Sequence, residues 1–192
     1  MDGPVMRLPP LDESDLSEEQ EALRRSVVGT RTGLGEDVWQ RGPFGVWQHA
    51  AGVGQPSCDL GAAVRFETQI PGDLREAAIC TVGAFYKSKF EFAAHKAIGI
   101  AEGLSSAALD RLAEGESPGW TEGLDAVHRY TISLLEQHMV TEELHSEIVA
   151  LLGHRGAVEL VTTIGYYSLI SLTLNAFDVQ LPTDMTDPWP MR

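Results

Sequence analysis

Apolar residues recur along this chain at helical rather than strand spacing. From Pro71, a residue favoured in a first helical turn, Leu74, Ala77, Ala78, Thr81, Val82 and Phe85 follow the i, i+3, i+4, i+7 pattern, which predicts an amphipathic helix running to about Lys87. Phe90, Ala93, Ala94, Ala97, Ile98 and Ala101 make the stripe of a second helix, with Gly103 where a left-handed cap would sit. Ser17, with Gln20 three residues later, reads as a capping box that starts the first helix of the chain. Residues 29–45 read as a loop holding Trp39 and Phe44, followed by short helices over 47–54 and 57–68. Ser105 or Ser106 opens a helix ending near Gly115, and another covers 121–137. Thr141 caps one that stops at Gly153, and the last runs from about 156 to 177. Residues 182–192, with three prolines, read as an arm or disordered tail. No period-two alternation persists, so the fold class is all-α.

Composition fits one domain over residues 1–192, with an N-terminal arm at 1–16 and a C-terminal tail at 179–192. The 14 basic and 28 acidic residues give a formal charge of -14, which opposes binding to nucleic acid or to anionic lipid. Cys58 and Cys80 lack metal-ligand spacing and read as small core residues; together with the lack of an export signal this leads to an expected cytoplasmic location. The glycines match neither a phosphate-binding loop nor a dinucleotide fingerprint. Residues 160–177 carry no charge, but Thr162, Thr163, Ser168, Ser171, Thr173 and Asn175 stud the stretch, which argues against a membrane span. A helix apolar on most sides needs cover on most sides, in a bundle or against another subunit, so a homo-oligomer is expected.

The candidate chemistry sits on the two central helical patterns: Glu76 on the first, and Ser88, Glu91 and His95 at i, i+3, i+7 on the second. Glu91 and His95 at i, i+4 are within reach of one another; the carboxylate favours protonated imidazole while burial opposes it. Each residue also has a structural reading. His95 would serve as a core histidine, Glu76 as a carboxylate near a helix start, Glu91 as a partner of Lys87, and Ser88 as a helix-boundary residue. His128, His138, His145 and His154 lie among charges and read as solvated, although the fold would decide whether His49, His128 or His145 joins a pocket. A metal is not expected: Glu142-Glu143-Leu144-His145 offers one Glu-x-x-His, with no second copy of the kind that a di-iron bundle needs.

Arg75-Glu76, Glu91, His95 and the Gly103-Leu104 boundary together resemble the carboxymuconolactone decarboxylase family of the alkylhydroperoxidase D-like superfamily. The resemblance extends through Arg7-Leu8-Pro9-Pro10-Leu11, Gly42-Pro43-Phe44, Glu159-Leu160-Val161, Gly165-Tyr166-Tyr167 and Asn175-Ala176-Phe177. In the redox branch of that superfamily a Cys-x-x-Cys would fall at Ser88 and Glu91, with a further His at Phe90. This chain has no thiol at either place, so the peroxide chemistry of that branch has no nucleophile.

What the resemblance implies is an alkylhydroperoxidase D-like helical bundle that assembles as a trimer or hexamer. It also implies a carboxy-lyase without cofactor or metal, acting on a small activated carboxylic acid or lactone. His95, Glu91 and Glu76 are then the expected catalytic set, with Ser88, Phe44, Trp47 and Tyr167 lining the substrate. The Gly42-to-Trp47 segment is expected in the pocket wall, and His95 and Glu91 compete for the role of proton donor. An isomerase, cyclase or hydrolase on the same site, and a non-catalytic ligand-binding or scaffold protein, are the alternative readings.

Overall fold

The computed structural model describes residues 6–183 and 185–190, and among them there are eight α-helices, three short 3-10 turns and no strand. The chain groups into two compact units, Met1–Glu67 with Thr173–Gln180, and Thr68–Leu172 with Leu181–Arg192.

In the first unit α1 (Glu18–Thr30) opens with the capping box that the sequence predicts. Ser17 Oγ accepts from the Gln20 N–H, and the Gln20 side chain accepts from the Ser17 N–H at 2.9 Å. The stretch read as a loop holds two short helical pieces, a 3-10 turn at Val38–Gln40 and α2 (Gly42–Trp47), because Val38, Trp39, Val46 and Trp47 turn inward to bury their side chains. The two helices expected around Pro56 are one, α3 (Ala51–Phe66). Ala51, Gly54, Cys58, Gly61 and Val64 form a single buried stripe along it, and packing of that stripe outweighs the one backbone bond that Pro56 cannot donate. The expected N-terminal arm is anchored in its described part: Arg7 donates its backbone N–H to Phe177 O and a guanidinium N–H to Ala176 O. Residues 1–5 of that arm lie outside the described residues.

The second unit is built on α4 (Gly72–Phe85), which packs against α5 (Lys89–Ala101), α6 (Ser106–Glu114) and α7 (Glu122–Gln137). Being covered on several sides, α4 buries a continuous run from Glu76 to Ala84. α8 (Glu142–Ala176) is broken at Gly153, whose φ of 72° and ψ of 172° leave the helix and divide it into 142–152 and 154–176, where the sequence places a stop. By length and composition α8 would suffice to cross a membrane, but half of its most apolar window is buried inside the protein.

The C-terminal stretch read as an arm or disordered tail is, in its described part, a docked strap. Trp189 packs on Phe92 at 5.2 Å between ring centroids and donates its indole N–H to Ala113 O, while Lys87 lies over the same indole and Asp187 pairs with Lys89 at 2.7 Å. Prolines discourage a helix here without discouraging docking, since an aromatic ring brings enough apolar area to hold an extended segment. Residues 184, 191 and 192 of that tail lie outside the described residues.

Candidate active site

The site is assembled by a tight antiparallel pairing of α4 and α5. Gly83 permits it: a Cβ there would stand 3.3 Å from the Phe92 Cα and backbone N, so a side chain would press on main chain rather than on a flexible tip. The connecting turn is fixed by Ser88 N–H donating to Gly83 O and by Lys87, which adopts φ 51° where glycine is usual. The Lys87 N–H donates to Ala84 O within the turn, and its ammonium donates to Ala113 O at 3.0 Å. α5 therefore starts on the C-terminal end of α4 and runs back along it, carrying His95 to Glu76.

His95 lies between two carboxylates. Its Nδ1 is 2.6 Å from Glu76 Oε2, a short charge-assisted hydrogen bond, and its Nε2 is 3.0 Å from Glu91 Oε1. The second contact has ion-pair distance without hydrogen-bond alignment, because Glu91 Oε1 is a buried atom with no aligned donor. All three residues are buried, Glu76 completely. Burial alone would drive the imidazole neutral, but the charges of Glu91 and Glu76, with the bond that Glu76 accepts, outweigh it and raise its pKa from 6.5 to about 9. Of the two opposing effects, the carboxylates thus favour the imidazolium more than burial opposes it.

Two further groups complete the surroundings. Tyr167 meets His95 edge to face at 4.9 Å between centroids, and Tyr166 backs Tyr167 at 5.4 Å. Arg75 places Nε 3.7 Å from Glu76 Oε1, giving two cations for two carboxylates in a dry cluster. Sequence reasoning assigned Arg75 no role. Its only signal was the Arg-Glu dipeptide, and adjacent residues on a helix do not ordinarily face each other.

Ser88 is fully buried at the N-cap of α5, with Glu91 at the third helical position. The sequence Ser-x-x-Glu has the form of a capping box, yet no side-chain cap bond forms and Ser88 Oγ has no partner among the described residues. Glu91 is committed to His95 instead. Local preference is overridden here by the cluster, and such conflicts gather at working sites.

The structure brings Glu76, Glu91, His95 and Tyr167 together. Phe44 and Trp47, expected to line substrate, belong to the first unit, where their rings pack edge to face at 6.4 Å. His128, read as solvated, is half-buried: its Nδ1 lies 3.1 Å from Thr81 Oγ1, its ring meets Trp120 edge to face, and burial lowers its pKa. Since the Thr81 hydroxyl donates to Ala77 O, His128 Nδ1–H is the donor to Thr81. His145 contacts Tyr130 Oη at 3.3 Å. Among the described residues no group of three His, Cys, Asp or Glu side chains is arranged to hold a metal ion. Cys80, completely buried, has its thiol pKa pushed far up by desolvation and by the Glu76 and Glu91 charges; burial raises that of Cys58 to about 12.

No family model matches the chain, and no curated protein matches it in sequence. Solved structures match it in fold. An alkylhydroperoxidase AhpD core, an uncharacterized peroxidase-related protein from Ralstonia eutropha JMP134, superposes with a TM-score of 0.77 at 14% identity, covering 95% of each chain. The debrominase Bmp8 without ligand gives a TM-score of 0.67 at 15% identity, over 95% of this chain and 94% of that one. A cysteine-to-alanine variant of Bmp8 in complex with 2,3,4-tribromopyrrole gives 0.66 at 16%, with the same coverage. The chain has the alkylhydroperoxidase D-like, carboxymuconolactone decarboxylase-like helical fold. It lacks the Cys-x-x-Cys of the redox branch, and its two cysteines are buried and unpaired.

Proposed function

We propose that this protein is a cofactor-free proton-transfer enzyme acting on a small activated carboxylic acid or lactone, with decarboxylation as its reaction. The observation that carries the reading is His95, a buried imidazole whose two nitrogens each face a carboxylate, an arrangement that favours its protonated form. A structural histidine satisfied by a backbone carbonyl needs no such arrangement. A proton donor held ready in a dry site does.

In the proposed reaction a β-keto or vinylogous acid loses carbon dioxide by heterolysis of its carbon–carboxylate bond, and the electron pair passes into the conjugated system as an enolate. The carbon that lost the carboxylate then takes a proton from His95. The donor is Nε2–H, because Nδ1–H is committed to Glu76, whereas the contact with Glu91 is close and poorly aligned. Glu76 fixes the ring and stabilises its charge, and Glu91 orients Nε2 and returns a proton from solvent to the neutral imidazole. Ser88, with a hydroxyl free to turn, supplies a hydrogen bond to the bound substrate. Such proton transfer contributes on the order of 10²–10⁴ in rate. The tribromopyrrole held by the Bmp8 variant lends support only for size, a small planar molecule on the same fold.

The test is a screen of β-keto and unsaturated lactone acids in deuterated water, following carbon dioxide release and deuterium at the new C–H. Turnover with one deuterium incorporated is expected. Glu91→Gln should slow it and His95→Gln abolish it, with circular dichroism confirming that both variants are folded. Turnover undiminished in folded His95→Gln would remove the reading.

A further inference from the structure

In the first unit, Arg31 closes the C-terminal end of α1 and its side chain is more than nine-tenths buried. Its guanidinium carbon lies over two phenyl rings, 5.3 Å from the centre of Phe44 and 5.4 Å from that of Phe66. Its Nη1 is buried and meets no hydrogen-bond acceptor, and no acidic side chain pairs with it among the described residues. Asp59, the acid whose charge reaches Cys58 as that of Arg31 does, has its carboxylate engaged by Gln55 at 2.7 Å.

A buried cation without a counter-charge is costly, and aromatic faces offset only a part of that cost. Its position at the end of α1 gives it a favourable helix field, but no bond from the guanidinium to a terminal carbonyl accompanies it. The outer wall is Phe66, which is 59% exposed, so the fork lies behind a ring that solvent already reaches. A guanidinium matches an oxyanion in two parallel N–H···O bonds, and the exposed Phe66 ring is the side from which one would approach the fork.

We infer that Arg31, between Phe44 and Phe66, is a binding site for an oxyanion, the carboxylate or phosphate group of a small molecule. The site stands apart from the His95 reading and does not depend on it. Phe44 then serves as a support for the anion-binding fork.

The test follows the melting temperature of the full chain as sodium benzoate or inorganic phosphate is added, against sodium chloride at equal ionic strength. A saturable rise of roughly 5 °C is expected near a hundredfold excess over Kd. Arg31→Met should abolish the rise while melting no lower than wild type without anion, since it exchanges an unpaired buried charge for an apolar chain of similar length. Arg31→Lys, without the fork, should keep only a fraction of the rise. Saturation by benzoate alone assigns a carboxylate, and saturation by phosphate alone a phosphoryl group. Two outcomes overturn the inference: no saturable rise with either anion, or a rise that persists in Arg31→Met. An Arg31→Met variant that melts lower without anion identifies Arg31 as a strut between the rings and overturns it as well. A shift of the wild-type Arg31 Nε–H resonance on titration gives a reading that needs no variant.

Discussion

Glu76 and His95 lie 19 residues apart on different helices and meet at 2.6 Å in a place that solvent barely reaches. The contact makes the protonation of one side chain part of the stability of the α4–α5 pair. His95 has a pKa of 6.5 when free of its surroundings and about 9 in the fold. The folded chain therefore holds this proton more tightly than the unfolded one. The associated stability is complete below about pH 6.5 and is lost as pH rises through about 9, an effect on the order of 3 kcal/mol. Urea denaturation of wild type near pH 6 and near pH 9.5 should show that loss, and His95→Gln should lack it. Equal pH dependence in the two proteins would contradict the pairing.

Glu76→Gln removes the carboxylate that bonds Nδ1 and leaves burial less opposed. The His95 pKa should fall below its wild-type value, and stability at neutral pH should drop by about 3 kcal/mol, as when one partner leaves a buried pair. Imidazole nitrogen shifts followed through a pH titration provide the measurement.

Both thiols are buried and held in the protonated form. In the native protein neither should react with Ellman's reagent on the timescale of minutes, and both should react in denaturant. Thiol-dependent peroxide consumption should be absent; turnover lost in Cys80→Ser or Cys58→Ser would show a redox activity that this geometry does not provide.

Trp189→Ala removes a ring from Phe92, a bond to Ala113 O and a platform under Lys87. A loss of about 2 kcal/mol is expected for this half-buried indole, less than for a fully buried one. Asp187→Asn removes the part-exposed ion pair with Lys89 while keeping an oxygen to accept the Trp189 N–H, and should cost about 0.5 kcal/mol or less. Thermal melts of the two variants should therefore differ clearly.

Val158, Val161, Leu169 and Leu172 are all at least 43% exposed, and their spacing places them on one side of the second segment of α8. Self-association through this face is expected on hydrophobic grounds. Light scattering at micromolar concentration should show an oligomer, and Val161→Glu with Leu169→Glu should reduce its mass. A wild-type monomer would refute the expectation.

The helical architecture was legible because its signals are local. Apolar spacing delimits α4 and α5 to within two residues, Ser17 with Gln20 marks the start of α1, and Gly153 marks the break in α8. The site was legible as a set of residue types on one helix face, but not as an electrostatic state, since the direction of the His95 shift depends on burial and on Glu76 reaching it from another helix. Pro56 and the C-terminal prolines misled for one reason. They report what the backbone disfavours locally, while the stripe from Ala51 to Val64 and the ring of Trp189 act through partners distant in sequence. Arg31 gave no signal at all, because a lone arginine at a helix end is ordinary until the rings around it are seen.

The strap that seats Trp189 also bears on how the chain folds. The core cluster of the second unit is packed against by Trp189, and the first unit draws on 173–180, where Phe177 O receives the Arg7 N–H. Each unit is thus completed by a segment distant in sequence from the helices it closes on. Such distant closures slow folding.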